Sequence, residues 1–422
     1  MVDLRVVITS DTCTWQAKYE GRLFAEYTFK SKRQINSINS LHLIQTTLCR
    51  FALMDLLGVK EIRIQSVMQP VSRAYLLKEL KRFKQQTILY HGLKVINEQV
   101  HFKMIEHEMM QPRELEQSSC FLGFTGGKDS TLVRELIESD FEQLRLFKID
   151  FDDELFESDY HLAVKIKDEK EYSRHSTRSM FEVENVPYYQ EEDLHAVFAA
   201  PYVDAEIPAK HLAVGLPWDV LNRHVFRTDG YPIEEYVCSE TYQSLFNFQD
   251  LMHALGFKTF EIFSPIASIS SIAIYDIHRQ LHGEVGLRNM SSCWSPLQDG
   301  KDCGRCLKCQ RVHLIYRTLG MAVEEDVTAE TRVGLDYLFG SISMKQLLDN
   351  HSAEELQRFA RAIFDDEFVG RIDRGYAEKL SAIYGLEKMK NPLMHVLPVE
   401  KQKRGYQYDN HFTPITPIGN IN

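Results

Sequence analysis

The stretch from Phe121 to Ser139 constrains the fold more than any other. An apolar run, Phe121–Phe124, passes straight into Thr125-Gly126-Gly127-Lys128-Asp129-Ser130, and apolar residues then recur at helical spacing from about Asp129 to Ser139. That order predicts a buried strand, a tight glycine turn and a helix. Adjacent glycines let backbone N–H groups converge on an anion, and the helix start adds free donors and a partial positive charge. Phosphate is the natural guest. A GxxxxGK[ST] loop is excluded, because it needs glycine where Leu122 stands and Ser or Thr where Asp129 stands. Thr125, Ser130 and the amides of Gly126 and Gly127 would donate to phosphate oxygens, Lys128 would neutralise charge, and Asp129 would help position magnesium, directly or through water. A plain strand-to-helix turn capped by Asp129 is the structural alternative.

From Cys120 onward, short apolar runs alternate with amphipathic stretches. LRLFKIDF, Leu212–Leu216 and Thr259–Phe263 read as strands, and Ser239–Leu255 and Ser270–Leu281 read as helices. The alternation predicts an α/β fold, a parallel sheet with helices on both faces. Ligands bind beyond the carboxyl ends of such strands. Residues 1–117 read instead as a small α+β unit, with strands near Leu4–Ile8, Glu61–Ile64 and Thr87–Tyr90 and a helix near Ile38–Leu57. The polar stretch Gln111–Ser119 is the expected linker. The catalytic domain is expected over 118–320. Beyond it, 321–422 reads as a helical extension, with a capping box at Ser352 and Glu355 and an extended tail.

Eight cysteines occur, and Cys293, Cys303, Cys306 and Cys309 fall within 17 positions. Clustering favours a metal over a disulfide framework. Four thiolates at this spacing can close a tetrahedral zinc site. The rival is an iron–sulfur cluster, but its ferredoxin motif continues C-x3-C-P, whereas Cys309 is followed by Gln310-Arg311-Val312.

Thr-Gly-Gly-Lys-Asp-Ser resembles the SGGxDS signature of PP-loop ATP pyrophosphatases. Together with SSCWSPLQDGKDCGRCLKCQR far downstream, it resembles the QueC-like 7-cyano-7-deazaguanine synthases over roughly Cys120–Leu319. Weaker echoes are Leu212–Leu216, Asp229-Gly230-Tyr231-Pro232 and Ser264-Pro265-Ile266. The resemblance implies ATP, Mg2+ and Zn2+ as cofactors, with adenylation of a carboxylated 7-deazaguanine and release of pyrophosphate. It makes Thr125, Lys128, Asp129 and Ser130 the expected catalytic residues. ATP would also be held by Phe124, Gly126, Gly127 and Asp150, and the base would meet Gly215, Asp219 and Glu240 at the sheet edge. The chain departs from the family at Ile233, Glu234 and Glu235 after Gly-Tyr-Pro, and at Ser271 where a lysine is usual. It is also extended at both ends, like the QatC-type proteins of bacterial antiviral systems. That group implies an amine on a partner protein, docked on the N-terminal domain or the C-terminal extension, as acyl acceptor. Ammonia as acceptor, in amide or nitrile synthesis, is the nearest alternative.

Charge narrows the other choices. The net value is -11, yet Met1–Gln117 holds 17 Lys and Arg against 12 Asp and Glu, leaving 32 against 48 for the remainder. An acidic catalytic part argues against the basic track of a tRNA-modifying enzyme. The basic residues Lys78, Lys81, Arg82 and Lys84 read as a solvated helix face or a docking patch. An intact loop argues against an inactive nucleotide-binding subunit. No apolar run reaches the roughly 18 residues of a membrane span, and the start, MVDLRVVITSDTC, lacks a leader pattern, so the cytoplasm is the expected compartment.

Overall fold

The computed structural model describes residues 2–8, 12–19, 21–30, 34–35, 37–55, 61–91, 99–104, 110–124, 127–147, 161–163, 194–217, 226–228, 231–232, 242–269, 271–288, 290, 309, 312–313, 316, 321–322, 374–376, 379–380 and 412–414. Strands and helices alternate along it in a mixed α/β arrangement containing parallel pairs. Among the described residues no helix is long and apolar enough to cross a membrane.

The first sheet is built from β1 (Val2–Ile8), β2 (Thr12–Tyr19), β3 (Arg22–Lys30), β4 (Glu61–Met68), β5 (Gln99–Met104) and β8 (His161–Ala163), in the order β5-β4-β1-β2-β3-β8. β1, β2 and β3 form an antiparallel meander, while β1–β4 and β4–β5 are parallel. Parallel neighbours need a crossover, and α1 (Ile38–Asp55) and α2 (Pro70–His91) occupy the two connections into β4 and β5. In β4, Ile62 and Ile64 are buried while Arg63 and Gln65 face water, the period of two that a half-buried strand requires.

The second sheet has the order β12-β9-β6-β7, from β6 (Glu116–Gly123), β7 (Gln143–Phe147), β9 (Ala209–Ala213) and β12 (Glu261–Phe263). The Glu116 amide donates to the Pro208 carbonyl at 2.9 Å at one end, and the Val214 amide donates to the Phe263 carbonyl at 2.9 Å at the other. Starts lie with starts and ends with ends, which makes these pairs parallel. β6 is central, so Ser119 through Leu122 are all buried. A strand covered on both faces reads as a continuous apolar run.

Two compact units result. One comprises Met1–Phe121, Gln143–Leu212 and Val237–Ile262, and includes α4 (Leu194–Asp204) and α5 (Tyr242–Ala254). Its core stacks Tyr202 edge-on against Phe121, Phe257 and Phe260, with centroids 5.2, 6.0 and 5.1 Å away. The other comprises Leu122–Glu142, Ala213–Tyr236 and Phe263–Asn422. It holds the carboxyl ends of β6, β9 and β12 with the segments after them. These include α3 (Lys128–Ile137), α6 (Ser271–Arg288) and a small antiparallel sheet ordered β11-β10-β13, from β10 (Phe226–Thr228), β11 (Tyr231–Pro232) and β13 (Phe412–Pro414).

Three expectations are corrected. Thr87–Tyr90 is the last part of α2, not a strand. The helix formers of KELKRFKQQ meet no breaker before Gly92, so propagation carries the β-prone residues along. Gln111–Ser119 is a connection only up to Leu115, because β6 starts at Glu116. Its polar residues pair with neighbours: Arg145 bonds the Glu116 carboxylate and donates to the Ile207 carbonyl. The strand expected over Leu212–Leu216 lies at Ala209–Ala213, and the chain leaves the sheet at Val214. After Cys309, where a helical run was expected, Val312, His313, Tyr316, Tyr376, Lys379 and Leu380 are helical, while Met321 and Ala322 lie outside any helix and Arg374 and Gly375 form a turn. Ser352 and Glu355 lie outside the described residues.

Candidate functional site

β6 ends at Gly123, and half-buried Phe124 leads toward the turn, of which Thr125 and Gly126 lie outside the described residues. Gly127 stands at the N-cap of α3 in an extended conformation (φ -73°, ψ 162°) with no side-chain capping bond. A glycine cap leaves the first-turn N–H groups without a side-chain acceptor, the arrangement that receives an anion. The Gly127 carbonyl accepts from the Thr131 amide at 3.0 Å and from Ser130 Oγ at 3.1 Å. Ser130 thus closes the first turn. Leu132, Val133, Leu136 and Ile137 are buried and fix the helix by its apolar face.

Lys128 and Asp129 pair with each other, Nζ to Oδ2 at 2.5 Å, and Nζ also lies 5.2 Å from the centre of the Tyr275 ring on α6. The other carboxylate oxygen, Asp129 Oδ1, is buried without a hydrogen-bond partner. A buried anionic oxygen left unpaired is costly, and a cation or a ligand donor would satisfy it. The residues present therefore fit a magnesium-bearing phosphate at this helix start.

Gly215 closes the other side. A Cβ there would stand 3.2 Å from Asp129 Cβ and 3.3 Å from both the Asp129 carbonyl carbon and the Ser130 nitrogen. Any larger residue would press the segment after β9 against the first turn of α3, which would have to give by a few tenths of an ångström. Ser264 Oγ holds that segment by donating to the Leu216 carbonyl at 2.7 Å. Past Ser264, the turn Pro265–Ile269 carries Ser268, whose buried hydroxyl has no partner. The structure thus brings together Gly127, Lys128, Asp129, Ser130 and Gly215 among the expected residues. Asp150, Asp219, Glu240, Cys293, Cys303 and Cys306 lie outside the described residues, as does the side chain of Ser271; Cys309 is within them and buried.

Sequence reasoning missed the histidine beneath the loop. His278, on α6 and fully buried, contacts the Lys128 carbonyl through Nε2 at 2.7 Å. A carbonyl only accepts, so Nε2 carries the proton. Burial lowers the His278 pKa below 6.5, assisted by His282 and opposed by the Lys128 carbonyl and the charges of Glu135 and Asp129. The ring is therefore neutral near pH 7, with Nδ1 a lone pair. One turn along, His282 stacks on it at 5.5 Å and 27° and pairs through Nε2 with Glu135 Oε1 of α3 at 2.8 Å. The signal was the spacing His-x3-His inside a helical stretch, which puts both rings on one face.

No family model matches the chain, and comparison with curated proteins finds no match.

Proposed function

We propose that the chain is an ATP-dependent ligase of PP-loop type, resembling the QueC-like enzymes, that adenylates a carboxylated 7-deazaguanine and passes the acyl group to an amine. The observation that carries the reading is Asp129: one oxygen pairs with Lys128, the other is buried and unpaired, and both sit at a glycine-capped helix start closed by Gly215. Lys128 and the free amides of α3 fit the departing phosphates, and Asp129 fits the magnesium that screens their charge. A carboxylate resists amines because oxide is a poor leaving group. Attack by one carboxylate oxygen on the α-phosphorus breaks the α–β bond, and pyrophosphate departs. The amine nitrogen then adds to the acyl carbon, loses its proton, and AMP leaves. Holding both reactants in line at Gly215 is the positioning contribution.

Cys293, Cys303, Cys306 and Cys309 are proposed as a structural zinc site, pinning the chain after α6. The acceptor is proposed to be an amine on a partner protein docked on the N-terminal or C-terminal extension, as in the QatC-type proteins, in antiviral defence in the cytoplasm.

Pyrophosphate release is measured with the purified chain and 7-carboxy-7-deazaguanine, with and without neighbouring gene products, and the partners are weighed by mass spectrometry. Release that needs the deazaguanine, with a mass gain on a partner, is expected. Release stimulated by tRNA alone would sink the reading.

A further inference from the structure

The structure assigns a second metal site, separate from the cysteines: Glu135, His278 and His282 bind a zinc-class divalent cation. One nitrogen from each ring and one Glu135 oxygen lie within 4.8 Å of one another. Two imidazoles and a carboxylate are the three-ligand set that zinc takes when one position stays open to water.

Three features separate this cluster from a chance grouping. First, His278 is fully buried, and its Nδ1 has no hydrogen-bond partner. Its Nε2 is committed to the Lys128 carbonyl, so the nitrogen left to ligate is Nδ1, already a lone pair. A ligating histidine whose other N–H donates to a backbone carbonyl is the usual way such a ring is oriented. Second, Glu135 and His282 are already paired at 2.8 Å, with side chains 33% and 34% exposed, so solvent and ions reach them. Bonds of about 2.05 Å in a tetrahedron set ligand atoms about 3.3 Å apart. The pair opens by about half an ångström, and rotation of these two side chains brings them toward His278. Third, the backbone leaves the helix immediately after His282, at Gly283 (φ 68°, ψ 176°), a region that only glycine occupies readily. His282 therefore ends a helical run, where carbonyl ends favour a cation. Bound there, the cation staples α3 to α6 about two turns along α3 from Lys128.

The test uses the full chain, freed of metal with a chelator and then dialysed against zinc chloride, with zinc counted by elemental mass spectrometry. The unaltered chain is expected to hold one more zinc per molecule than the double variant E135A/H282A, whose circular dichroism stays the same. With cobalt(II), the visible bands of the nitrogen–oxygen site vanish in that variant while any thiolate charge-transfer band remains. E135Q alone, which keeps the side-chain size, is expected to weaken zinc binding by at least roughly 10-fold. Equal zinc content and affinity in all three chains would overturn the assignment and leave Glu135–His282 a simple ion pair. Because the readout is metal and not turnover, failure here is distinct from failure of the ligase reading.

Discussion

At Gly215 a missing Cβ decides how close two backbones come. Adding one forces the first turn of α3 to give by a few tenths of an ångström against Asp129 and Ser130. We predict that Gly215→Ala weakens ATP binding by roughly 10-fold while thermal stability changes little, because displacement at a positioning contact is felt first by the ligand. Titration calorimetry beside a melting curve checks this; unchanged affinity would remove Gly215 from the site. The strand and the helix start on either side of the glycines were legible because their signals are local: an apolar run before Thr125 and apolar residues at helical spacing after Gly127 suffice. His278 was not, since its role depends on where α6 lays it against Lys128, a contact 150 residues long.

Among the elements, α3 carries most of the site, and its two ends are held differently. Its start is capped by Gly127 with no side-chain capping bond. Its end is tied down: Asp140, just beyond, accepts from Tyr376 Oη at 2.6 Å and from Lys379 Nζ at 3.2 Å, and Lys379 also bonds the Leu136 carbonyl. A lysine on a terminal carbonyl satisfies an orphan acceptor. Burial raises the Asp140 pKa, but the bonds from Tyr376, Lys379 and Ser139 outweigh it and leave the carboxyl below its ordinary 3.8. Its stabilisation is therefore present above about pH 4 and is lost as pH falls through the folded value. Asp140→Asn is expected to flatten the acid limb of a stability–pH profile while lowering stability at neutral pH; an unchanged limb would assign the acid sensitivity elsewhere. Long periodic helices were readable, with α1 and α3 found within two residues of the expected ends. The strand pattern at Thr87–Tyr90 failed because a helix already running needs only weak propensity to continue. β2, with Cys13, Trp15, Ala17 and Tyr19 alternating with Thr12, Thr14, Gln16 and Lys18, carried a legible period of two that went unread, whereas the three residues of β8 are too few to show one.

On the scale of the whole molecule, the unit containing the N-terminus gathers its core from three stretches of chain, and a buried polar network shows how. Arg50 Nε on α1 bonds Glu79 Oε2 on α2 at 2.9 Å, with both side chains almost fully buried. Ser244 Oγ and Asn247 Nδ2 on α5 donate to the same carboxylate at 3.2 and 2.8 Å. Since Ser244 donates there, it accepts from His195 Nε2 on α4 at 2.9 Å, and His195 Nδ1 accepts from Tyr75. No single stretch of sequence holds this network, so periodicity could not reveal it. Glu79→Ala leaves the Arg50 guanidinium without its carboxylate, at a cost of about 3–5 kcal/mol in urea unfolding; a loss under about 1 kcal/mol would mean the network is not what joins these helices.

In the proposed reaction a substrate carboxylate attacks the α-phosphorus of ATP held at Gly127–Ser130. Carboxylate-labelled [18O]7-carboxy-7-deazaguanine, ATP and magnesium are incubated with the chain and an amine acceptor, and AMP is weighed. AMP carrying one 18O is expected, with formation slowed on the order of 100-fold in Asp129→Asn. Unlabelled AMP, or ADP and phosphate in its place, would contradict the proposed reaction.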